Sequence, residues 1–513
     1  MTESPLLGTL LSVRVDGRIN ASHTVFIRHS HDGSRAFAPT PANSGGSPNA
    51  YPSNWSTTRT RADQSLAGLT SVLRPTLVND LRVSYFGIRV RASAADEDAC
   101  PGCLGIGAPS ITIQQAGLVI GNSSATDNLE GRFELNDVLT WQKGRHRVAV
   151  GADWERNRDR NLIWNNDPVT MTLFAPDRVS TYNERVAPEL TIPLPATFET
   201  IGDILRLPVR TVTISVGDPG VPHEDGSPFR TWNTVWLYAE DAWRLHDRVT
   251  VTYGLGLGID GVLNHDLRKP ALLAPILGVN GLGPTKNDWT NFAPAAGVAW
   301  TISSDRKTVV HAAAGRFLGP HGLTSSMDNE RVALGPPGLG RQPFPASSIL
   351  NPLSTIPGVL RGAPLDFAAP SLFTGAVLMS VLPQLQASLL QARTSAEPGV
   401  QQIQLTKQAA AAIFPVNAPN PAAVHVNVGV QHELAHGVVV GADVVYRRFT
   451  HVPQNGGWID LNHFNRVPAL SGPVIRKCNS AAEARDPQAV CSMGQINVQV
   501  APSFSTKASC TWR

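Results

Sequence analysis

Hydrophobic and polar residues alternate along many stretches of the chain, and these stretches come in pairs joined by short polar turns. In residues 133–154, FELNDVLTWQKGRHRVAVGADW, apolar positions such as Phe133, Leu135 and Val148 flank a turn at 142–145. Alternating side chains point to opposite faces of a β-strand, and a turn containing Lys-Gly joins antiparallel neighbours. The segment is therefore predicted to be a β-hairpin. The same pattern predicts further hairpins at residues 11–30, 65–90, 231–260, 292–317 and 424–447.

Long segments rich in Pro, Gly and Asn separate these hairpins, at residues 31–64, 157–230, 261–291 and 318–420. Short turns at one end and long loops at the other are typical of transmembrane β-barrels. A compact soluble domain rarely holds structureless loops of such length. We therefore predict an all-β fold, an antiparallel transmembrane β-barrel with long extracellular loops. The alternative is a soluble β-sandwich.

Aromatic residues near the strand ends favour the membrane interpretation. In a barrel such rings gather in girdles at the two membrane–water interfaces, whereas in a β-sandwich they would belong to the core. The residues that we assign to the girdles are Trp141, Trp154, Trp232, Trp236, Tyr238, Trp243, Trp300 and Tyr446.

One segment departs from the strand pattern. Residues 370–413 contain good helix formers, with apolar residues near a spacing of 3.6. We predict helical turns there, inside the long loop 318–420, and assign no functional site to them.

Composition and charge exclude several classes of protein. Of the 513 residues 16% are charged and the formal net charge is +3, against about 25% charged residues in typical soluble domains. A chain so close to charge balance, without a basic run, does not suggest a nucleic-acid partner. Nor does any apolar stretch reach the roughly 18 residues of a transmembrane helix. The first residues lack the basic region and apolar core of a signal peptide, as expected for a cytoplasmic protein or for a chain that lacks its true beginning.

The five cysteines allow two predicted pairs. Cys100 and Cys103 have the spacing of a zinc or redox site, but no second CxxC completes one, so we predict a loop disulfide. Cys478 and Cys491 bracket a polar loop, and a disulfide there would suit an oxidising compartment. Cys510 has no evident partner.

Residues 432–436 read HELAH, which fits the zinc-metalloprotease motif H-E-x-x-H. The motif requires a helix, because only a helix places both histidines on one face with Glu433 beside them as general base. Valines alternate with other residues through 424–446, which favours strands. His432 is therefore predicted on a strand and His436 in a turn, and no third ligand follows at a familiar spacing. We assign no zinc site.

Two other patterns are weaker still. His29 and His31 could be read as part of a metal cluster, but in a strand they would point to the same side of its end, which is ordinary for a polar strand. The glycines of residues 254–258 imitate a phosphate loop, but no helix follows, and glycine in a strand indicates close packing. No G-x-S-x-G elbow or catalytic set is evident. We therefore assign no catalytic residue, cofactor-binding residue, metal ligand or cofactor, and we do not expect an enzyme.

Taken together in serial order, the hairpins resemble the β-barrel part of the Oar-like TonB-dependent receptors, large outer-membrane proteins with a carboxypeptidase-regulatory-like domain and a plug. The resemblance spans nearly all of residues 1–513. The blocks that carry it are VRVDGRINASHTVFIRHS (13–30), LTSVLRPTLVNDLRVSYFG (69–87), NLEGRFELNDVLTWQKGRHRVAVGADWER (128–156), NTVWLYAEDAWRLHDRVTVTYGLGLGID (233–260), NFAPAAGVAWTISSDRKTVVHAAAGRF (291–317), VHVNVGVQHELAHGVVVGADVVYRR (424–448), IDLNHFN (459–465) and the cysteine-bracketed loop at 478–491.

The resemblance implies a protein of the cell outer membrane that takes up a substrate, with outer-membrane lipid around it and an energy-transducing TonB-type complex as partner. It leaves the ligand unknown. The sequence shows no signal peptide, regulatory-like domain, plug or TonB box, and it ends at Arg513, where such receptors continue with further strands. We therefore expect a barrel fragment, truncated at both ends, whose two unpaired strand edges would be costly in lipid.

Three functions follow from these observations. The leading one is substrate uptake across the outer membrane by a barrel of TonB-dependent receptor type. The second is a non-transporting surface barrel that serves adhesion or protein export. The third, of a different class, is a zinc metalloprotease that uses His432, Glu433 and His436.

Overall fold

The structure is a computed structural model that describes most of the chain. The residues described are 5–38, 51–107, 109–114, 117–222, 226–269, 278–302, 304–319, 324–335, 338–355, 365, 367–394, 414–434, 437–451, 473–475, 479–480, 483 and 496–497.

Strands dominate these residues. In chain order they are β1 (Leu6–Arg18), β2 (His23–Ala38), β3 (Ser56–Arg74), β4 (Leu77–Ala94), β5 (Ser110–Ile113), β6 (Leu118–Ile120), β7 (Ala125–Lys143), β8 (His146–Trp164), β9 (Thr170–Leu173), β10 (Val209–Val216), β11 (Arg230–His246), β12 (Val249–Asp260), β13 (Phe292–Thr301), β14 (Thr308–Leu318), β15 (Gln342–Pro345), β16 (Ala422–Glu433), β17 (Val439–Thr450), β18 (Pro473–Ile475) and β19 (Ile496–Asn497).

Twelve of the strands form one large sheet in the order β1-β2-β3-β4-β7-β8-β11-β12-β13-β14-β16-β17. Every neighbouring pair is antiparallel, so the sheet is an up-and-down meander, as in membrane barrels. The predicted all-β antiparallel fold is confirmed. Within the described part of the chain, β1 and β17 each pair on one side only, so the sheet is not closed.

All six predicted hairpins are present, and each pair of strands meets through a short connection. The turn between β7 and β8 consists of Gly144 and Arg145, and Gly144 has φ +58°. Glycine adopts this left-handed conformation without a steric penalty, which is why the Lys-Gly turn closes the hairpin tightly. Six such turns therefore lie at one end of the sheet.

The long connections lie at the opposite end, as predicted, and many of their described residues form strands and helices. They contain a second sheet in the order β15-β10-β9-β5-β6. The predicted boundaries of the first loop, 31–64, are wrong, since β2 runs to Ala38 and β3 begins at Ser56. The helical elements are α1 (Pro176–Asn183), α2 (Ile201–Ile204), α3 (Thr324–Leu334), α4 (Ala346–Thr355), α5 (Gly375–Thr394) and the 3-10 turns Pro52–Asn54, Pro188–Leu190 and Val279–Leu282.

We call residues 95–124, 165–229, 261–291 and 319–421 the loop layer. It has its own hydrophobic core, in which Met171, Ile214 and Leu385 are fully buried. The sequence of β10, VRTVTISV, carries the alternation that builds this core, but it lies inside a segment that its Pro, Gly and Asn content marks as a loop. Burial of apolar surface by distant segments thus overrides the local composition. No helix among the residues described has the length and hydropathy needed to span a membrane.

Helix α5 occupies the middle of the predicted helical segment 370–413. It buries Leu378, Leu382, Leu385 and Leu389 against the loop-layer core, at the three- and four-residue spacing of one helical face. The prediction of helix is confirmed for 375–394, whereas residues 395–413 lie outside the described part of the chain.

The two faces of the large sheet differ in character. On β8 the even positions Val148, Val150, Ala152 and Trp154 lie on the convex face, while the odd positions between them are buried or half-buried on the concave face. The strand register carries the same convex face through Leu139, Leu135, Leu237 and Leu257 on neighbouring strands. An apolar convex face and a polar concave face are the arrangement of a barrel wall in lipid.

Three of the predicted girdle aromatics lie elsewhere. Trp232, Trp236 and Tyr238 occupy even positions of β11, and the register with β8 places these on the concave face. The prediction is wrong for these three because residue type alone does not tell which face of a strand a ring occupies. The five that lie on the convex face are Trp141, Trp154, Trp243, Trp300 and Tyr446.

Candidate functional site on the concave face and in the loop layer

Polar side chains cross the concave face from strand to strand. Ser84 Oγ donates to Glu134 at 3.3 Å, and Arg132 Nη1 donates to Glu155 at 3.4 Å. Asn136 Nδ2 donates to Asp153 at 3.2 Å on the next strand. These contacts form a polar, charged wall of the kind that lines the interior of a membrane barrel.

Aromatic rings on the concave face lie flat over glycines of neighbouring strands. A Cβ added at Gly256 would overlap the Trp236 indole, and one added at Gly151 would overlap the Tyr238 ring. This explains the glycine-rich segment of β12, whose glycines face the interior as the sequence predicted for a closely packed strand. The rings thus lie against the wall instead of projecting into the interior.

A cavity of about 580 Å³ opens on the concave face beside this aromatic cluster. Its floor is built from small residues such as Gly254, Gly297 and Ala313, which leave space above the sheet. Charged or polar side chains stand around the floor. The side chains that line the cavity include Arg147, Glu240, His425, Asn427 and Arg447. The arrangement offers cationic and anionic groups together to a polar solute.

The loop layer is anchored to the concave face by a buried charge cluster at the end of β8 and β11. Arg230 Nη2 donates to Asp159 Oδ2 at 2.5 Å, and its other terminal nitrogen contacts Asp328 of α3. Burial raises the pKa of Asp328 to about 6, although Arg230 opposes this rise. Met327 of α3 packs in the same place, in a cluster with Val262 and Phe414 that Trp232 covers.

A second buried network ties three loop segments together. Lys269 Nζ lies 3.7 Å from Glu330 Oε1 and donates to Thr285 Oγ1 at 3.0 Å. Glu330 also accepts hydrogen bonds from Asn264 Nδ2 at 3.1 Å and from the Phe414 amide at 2.9 Å. Burial raises the pKa of Glu330 and lowers the pKa of Lys269, while the attraction between them acts in the opposite direction. The carboxylate and ammonium hold segments that are far apart in the chain.

Arg393 forms a third polar anchor, inside the loop layer. Its guanidinium donates to the carbonyl oxygens of Val216, Leu339 and Gly340, each at 2.7 Å. The residue is 3% exposed, and burial lowers its pKa to about 10, with Asp218 opposing. One side chain therefore joins α5, the end of β10 and the segment before β15.

The HELAH motif does not form a zinc site in the described residues. His432 lies on β16, pairs with Val440 and faces outward, and its Nδ1 is 2.7 Å from Thr308 Oγ1. Glu433 is the last residue of β16, so the segment is a strand end and not a helix. His436 lies outside the described residues, while Gly437 has φ +76°, consistent with the predicted turn.

The remaining sequence-predicted positions are separate from one another. His29 and His31 share the outward face of β2, where His29 Nδ1 is 3.0 Å from Ser65 Oγ and His31 Nδ1 is 2.8 Å from Asp63 Oδ1. Across the described part of the chain, no three His, Cys, Asp or Glu side chains form a group that could hold a metal.

The cysteines of the first predicted pair are adjacent in the loop layer. Cys100 and Cys103 are joined by a disulfide, with Cα atoms 5.5 Å apart. Cys478 and Cys491 lie outside the described residues, as do 459–465, so that second disulfide stays a prediction.

Sequence reasoning missed the anchors of the loop layer. Arg230, Lys269, Asp328, Glu330 and Arg393 stand in local sequences that read as ordinary polar surface. No spacing connects them, since each contact joins segments tens of residues apart in the chain. The only sequence pattern near these residues was the alternation of apolar residues in the neighbouring strands, and it does not identify the anchors.

Together, the meander of strands, the apolar convex face and the polar concave face define a transmembrane β-barrel protein. A family model described as an outer membrane beta-barrel domain matches residues 8–505. The chain belongs to this family, and its location is the outer membrane, as predicted. No curated protein sequence is significantly similar to the chain.

Solved structures with a similar fold are outer-membrane receptors and transporters. The alcaligin outer membrane receptor FauA from Bordetella pertussis is 9% identical with a TM-score of 0.40, over 88% of this chain and 44% of that one. The FrpB iron transporter from Neisseria meningitidis is 11% identical with a TM-score of 0.41, over 88% and 46%. The ferric citrate transporter FecA is 8% identical with a TM-score of 0.37, over 89% and 46%. The chain spans less than half the length of each of these proteins.

Proposed function

We propose that the protein takes up a polar substrate across the outer membrane, as a barrel of the TonB-dependent receptor type and of the Oar-like subtype. The main support for the proposal is the polar concave face, where strands of the large sheet line a cavity of about 580 Å³. A barrel wall that served only as an anchor would not need mixed charges such as Arg147 and Glu240 around an open interior.

In this proposal the loop layer controls entry to the interior. The contacts of Arg230 with Asp159 and Asp328 hold α3 against the concave wall near the mouth. A substrate would pass when these contacts rearrange, and the energy would come from a TonB-type complex, as the sequence resemblance implies. The ligand is not identified by the residues on the concave face.

Uptake measurements in cells with and without the gene test this proposal. Ferric citrate labelled with radioactive iron and a radioactive copper(II) salt serve as probes, because similar folds include a ferric citrate transporter and a copper transporter. We expect uptake of a probe that depends on the gene and that a protonophore abolishes. Gene-independent uptake of both probes would contradict transport of these two metals, and gene-dependent uptake that resists the protonophore would contradict the TonB-type energy source.

A matched pair of variants links uptake to the concave face. Ala313 lines the cavity, whereas Ala312, its neighbour on β14, pairs with Val298 and Val428 on the convex face. We expect Ala313→Trp to abolish the gene-dependent uptake and Ala312→Trp to preserve it. Equal effects of the two variants would contradict passage along this face.

The second candidate is a surface barrel for adhesion or export without uptake. The independent core of the loop layer favours it, since a folded external layer can bind a partner. In that case deletion of the gene would change cell attachment or secretion, and Ala313→Trp would leave both unchanged. The zinc-protease candidate loses its structural basis, because His432 and Glu433 lie at the end of a strand.

A further inference from the structure

Arginines are concentrated on the convex face of the sheet, on the side of the long loops. Residues that pair across neighbouring strands form a row across the sheet. The row that contains Tyr85 of β4 and Phe133 of β7 marks the limit of the apolar surface on this side. Arginines occupy this row and the rows nearer the long loops. We call this group the arginine belt. Its members are Arg35, Arg59, Arg61, Arg89, Arg91, Arg156, Arg158 and Arg160.

Several members of the belt stand directly opposite one another on adjacent strands. Arg35 pairs with Arg59, Arg59 pairs with Arg91, and Arg61 pairs with Arg89. Like charges at directly opposed positions of a sheet destabilise it. Three such pairs in one patch therefore require compensation by anions.

The chain supplies only part of this compensation. Asp127 accepts hydrogen bonds from Arg89 at 2.7 and 2.9 Å and from Arg160 at 3.2 Å, and lies 3.3 Å from Arg91. Asp63 lies 2.8 Å from Arg61. Among the described residues of β2, β3, β4, β7 and β8, Asp63 and Asp127 are the acidic residues on the convex face beyond the row of Tyr85. The eight arginines of the belt therefore have two aspartates to balance their charge.

Arg158 and Arg160 lie against the ring of Phe229 in the loop layer, 3.6 and 5.5 Å from its centroid, but other members of the belt remain accessible. The side chain of Arg61 is 73% exposed and that of Arg91 is 58% exposed. Arg35, Arg59 and Arg156 are exposed and have no ion-pair partner among the residues described. Their guanidinium groups can therefore donate to oxygen atoms outside the protein.

The position of the belt relative to the membrane identifies those oxygen atoms. Trp141 and Phe133 lie eight residues apart on β7, about 26 Å along the strand at roughly 3.3 Å per residue. A strand tilt of about 40° reduces this to about 20 Å of height, similar to the apolar band of an outer-membrane barrel. Because the long loops are on the extracellular side, the belt lies at the headgroups of the outer leaflet.

The height of the belt favours a large headgroup. Arg156 pairs with Phe133, whereas Arg91 pairs with Asp127, six residues further along β7. Six residues correspond to about 15 Å of height at the same rise and tilt. The headgroup region of an ordinary phospholipid leaflet is only about 5–7 Å thick. A phosphorylated glycolipid, whose sugars carry phosphates further from the acyl chains, can reach the upper arginines.

At the end with the short turn, the convex positions of β7 and β8 carry fewer basic side chains. On β7 and β8 the convex positions nearest the short turn are Trp141, Lys143, His146 and Val148. On these two strands the arginines therefore lie on the side of the outer leaflet, where arginine can bind phosphate through two parallel hydrogen bonds.

We propose that the arginine belt binds the phosphate groups of a phosphorylated glycolipid in the outer leaflet of the outer membrane. The site is independent of the transported substrate, so the failure of the uptake proposal would not affect it. Bound phosphates would relieve the repulsion between the opposed arginines and hold the wall of β2, β3, β4 and β8 at a fixed depth in the membrane.

Binding is tested with the full chain purified in a neutral detergent. The probes are lipid A with its two phosphates, the same lipid without phosphates, phosphatidylglycerol and inorganic phosphate, each titrated by native mass spectrometry. The test variant is Arg59→Gln with Arg91→Gln. The matched control is Arg82→Gln with Arg132→Gln, two arginines of β4 and β7 that face the interior.

We expect the phosphorylated lipid A to bind best. The Arg59→Gln, Arg91→Gln variant should weaken it by about tenfold or more, while the control variant stays near wild type. Heat-modifiable migration on a gel checks that both variants are folded. Equal binding of the dephosphorylated lipid, equal binding of phosphatidylglycerol or inorganic phosphate, or equal losses in the two variants would each overturn the proposal.

Discussion

Replacing Arg393 with methionine would remove the anchor that joins α5 to β10 and to the segment before β15. The guanidinium makes three hydrogen bonds of 2.7 Å to buried carbonyl oxygens, and a hydrogen bond from a charged donor contributes about 1.5–3 kcal/mol. Against this gain stands the cost of burying the charge. The lowering of the pKa from 12.5 to about 10 corresponds to roughly 3 kcal/mol.

The net loss in Arg393→Met is therefore about 2–6 kcal/mol of local stability. The loss should be confined to the loop layer, because Arg393 contacts no strand of the large sheet through these bonds. Amide hydrogen exchange measured by mass spectrometry reports such local opening. We expect exchange to accelerate by roughly 30-fold or more in β10 and β15, with β1 to β4 unchanged.

Arg206→Met is the matched control, since Arg206 is an exposed arginine of the loop layer. Arg393→Lys should give an intermediate result, because an ammonium keeps the charge but cannot reach three carbonyl groups in the same fork. If exchange in β10 and β15 stayed within twofold of wild type in Arg393→Met, or if Arg206→Met had an equal effect, the three hydrogen bonds of Arg393 would not be what stabilises the loop layer.

Three further predictions concern other parts of the chain. Burial raises the pKa of Asp328 from its ordinary value of 3.8 to about 6. The docked α3 therefore binds more protons than the released helix between about pH 4 and pH 6. Its stability against proteolysis should fall by up to roughly 3 kcal/mol as pH rises from 4 to 6, and Asp328→Asn should flatten this profile. Gly256→Ala would overlap the indole that lies on it and cost about 1–3 kcal/mol of barrel stability, measured by heat-modifiable migration, whereas Gly131→Ala, with its nearest side-chain atom at 3.5 Å, should cost little. Non-reducing peptide mass spectrometry should recover Cys100 and Cys103 in one disulfide-linked species, and maleimide labelling of both without reductant would contradict that pair.

The hairpins were predictable because strand alternation is a local property. In residues 424–447 every second residue is apolar over two strands, and the observed register pairs Val428 with Val444 and Val430 with Ala442. The same alternation correctly placed His432 on a strand, against a motif that requires a helix. Short turns leave little freedom in register, so local sequence determines the pairing of each hairpin.

The face that each strand residue occupies and the folding of the loop layer were harder to predict from the sequence. Trp236 resembles an interface residue in isolation, and only the register with β8 and the glycines of β12 show that it faces inward. The core of the loop layer assembles β10, α5 and β15 from segments far apart in the sequence. The partners of Glu330 and Arg393 come from equally distant segments, so no local pattern could reveal these anchors.

We conclude that the large sheet is a barrel wall with lipid on its convex face and an aqueous interior on its concave face. Spin labels placed singly at each of residues 148–155 on β8, with the five native cysteines replaced by serine, test it most directly in outer-membrane vesicles. We expect labels at even positions to be accessible to oxygen dissolved in the lipid, and labels at odd positions to be accessible to a water-soluble nickel complex. Accessibility without a period of two, or with the two faces exchanged, would contradict it.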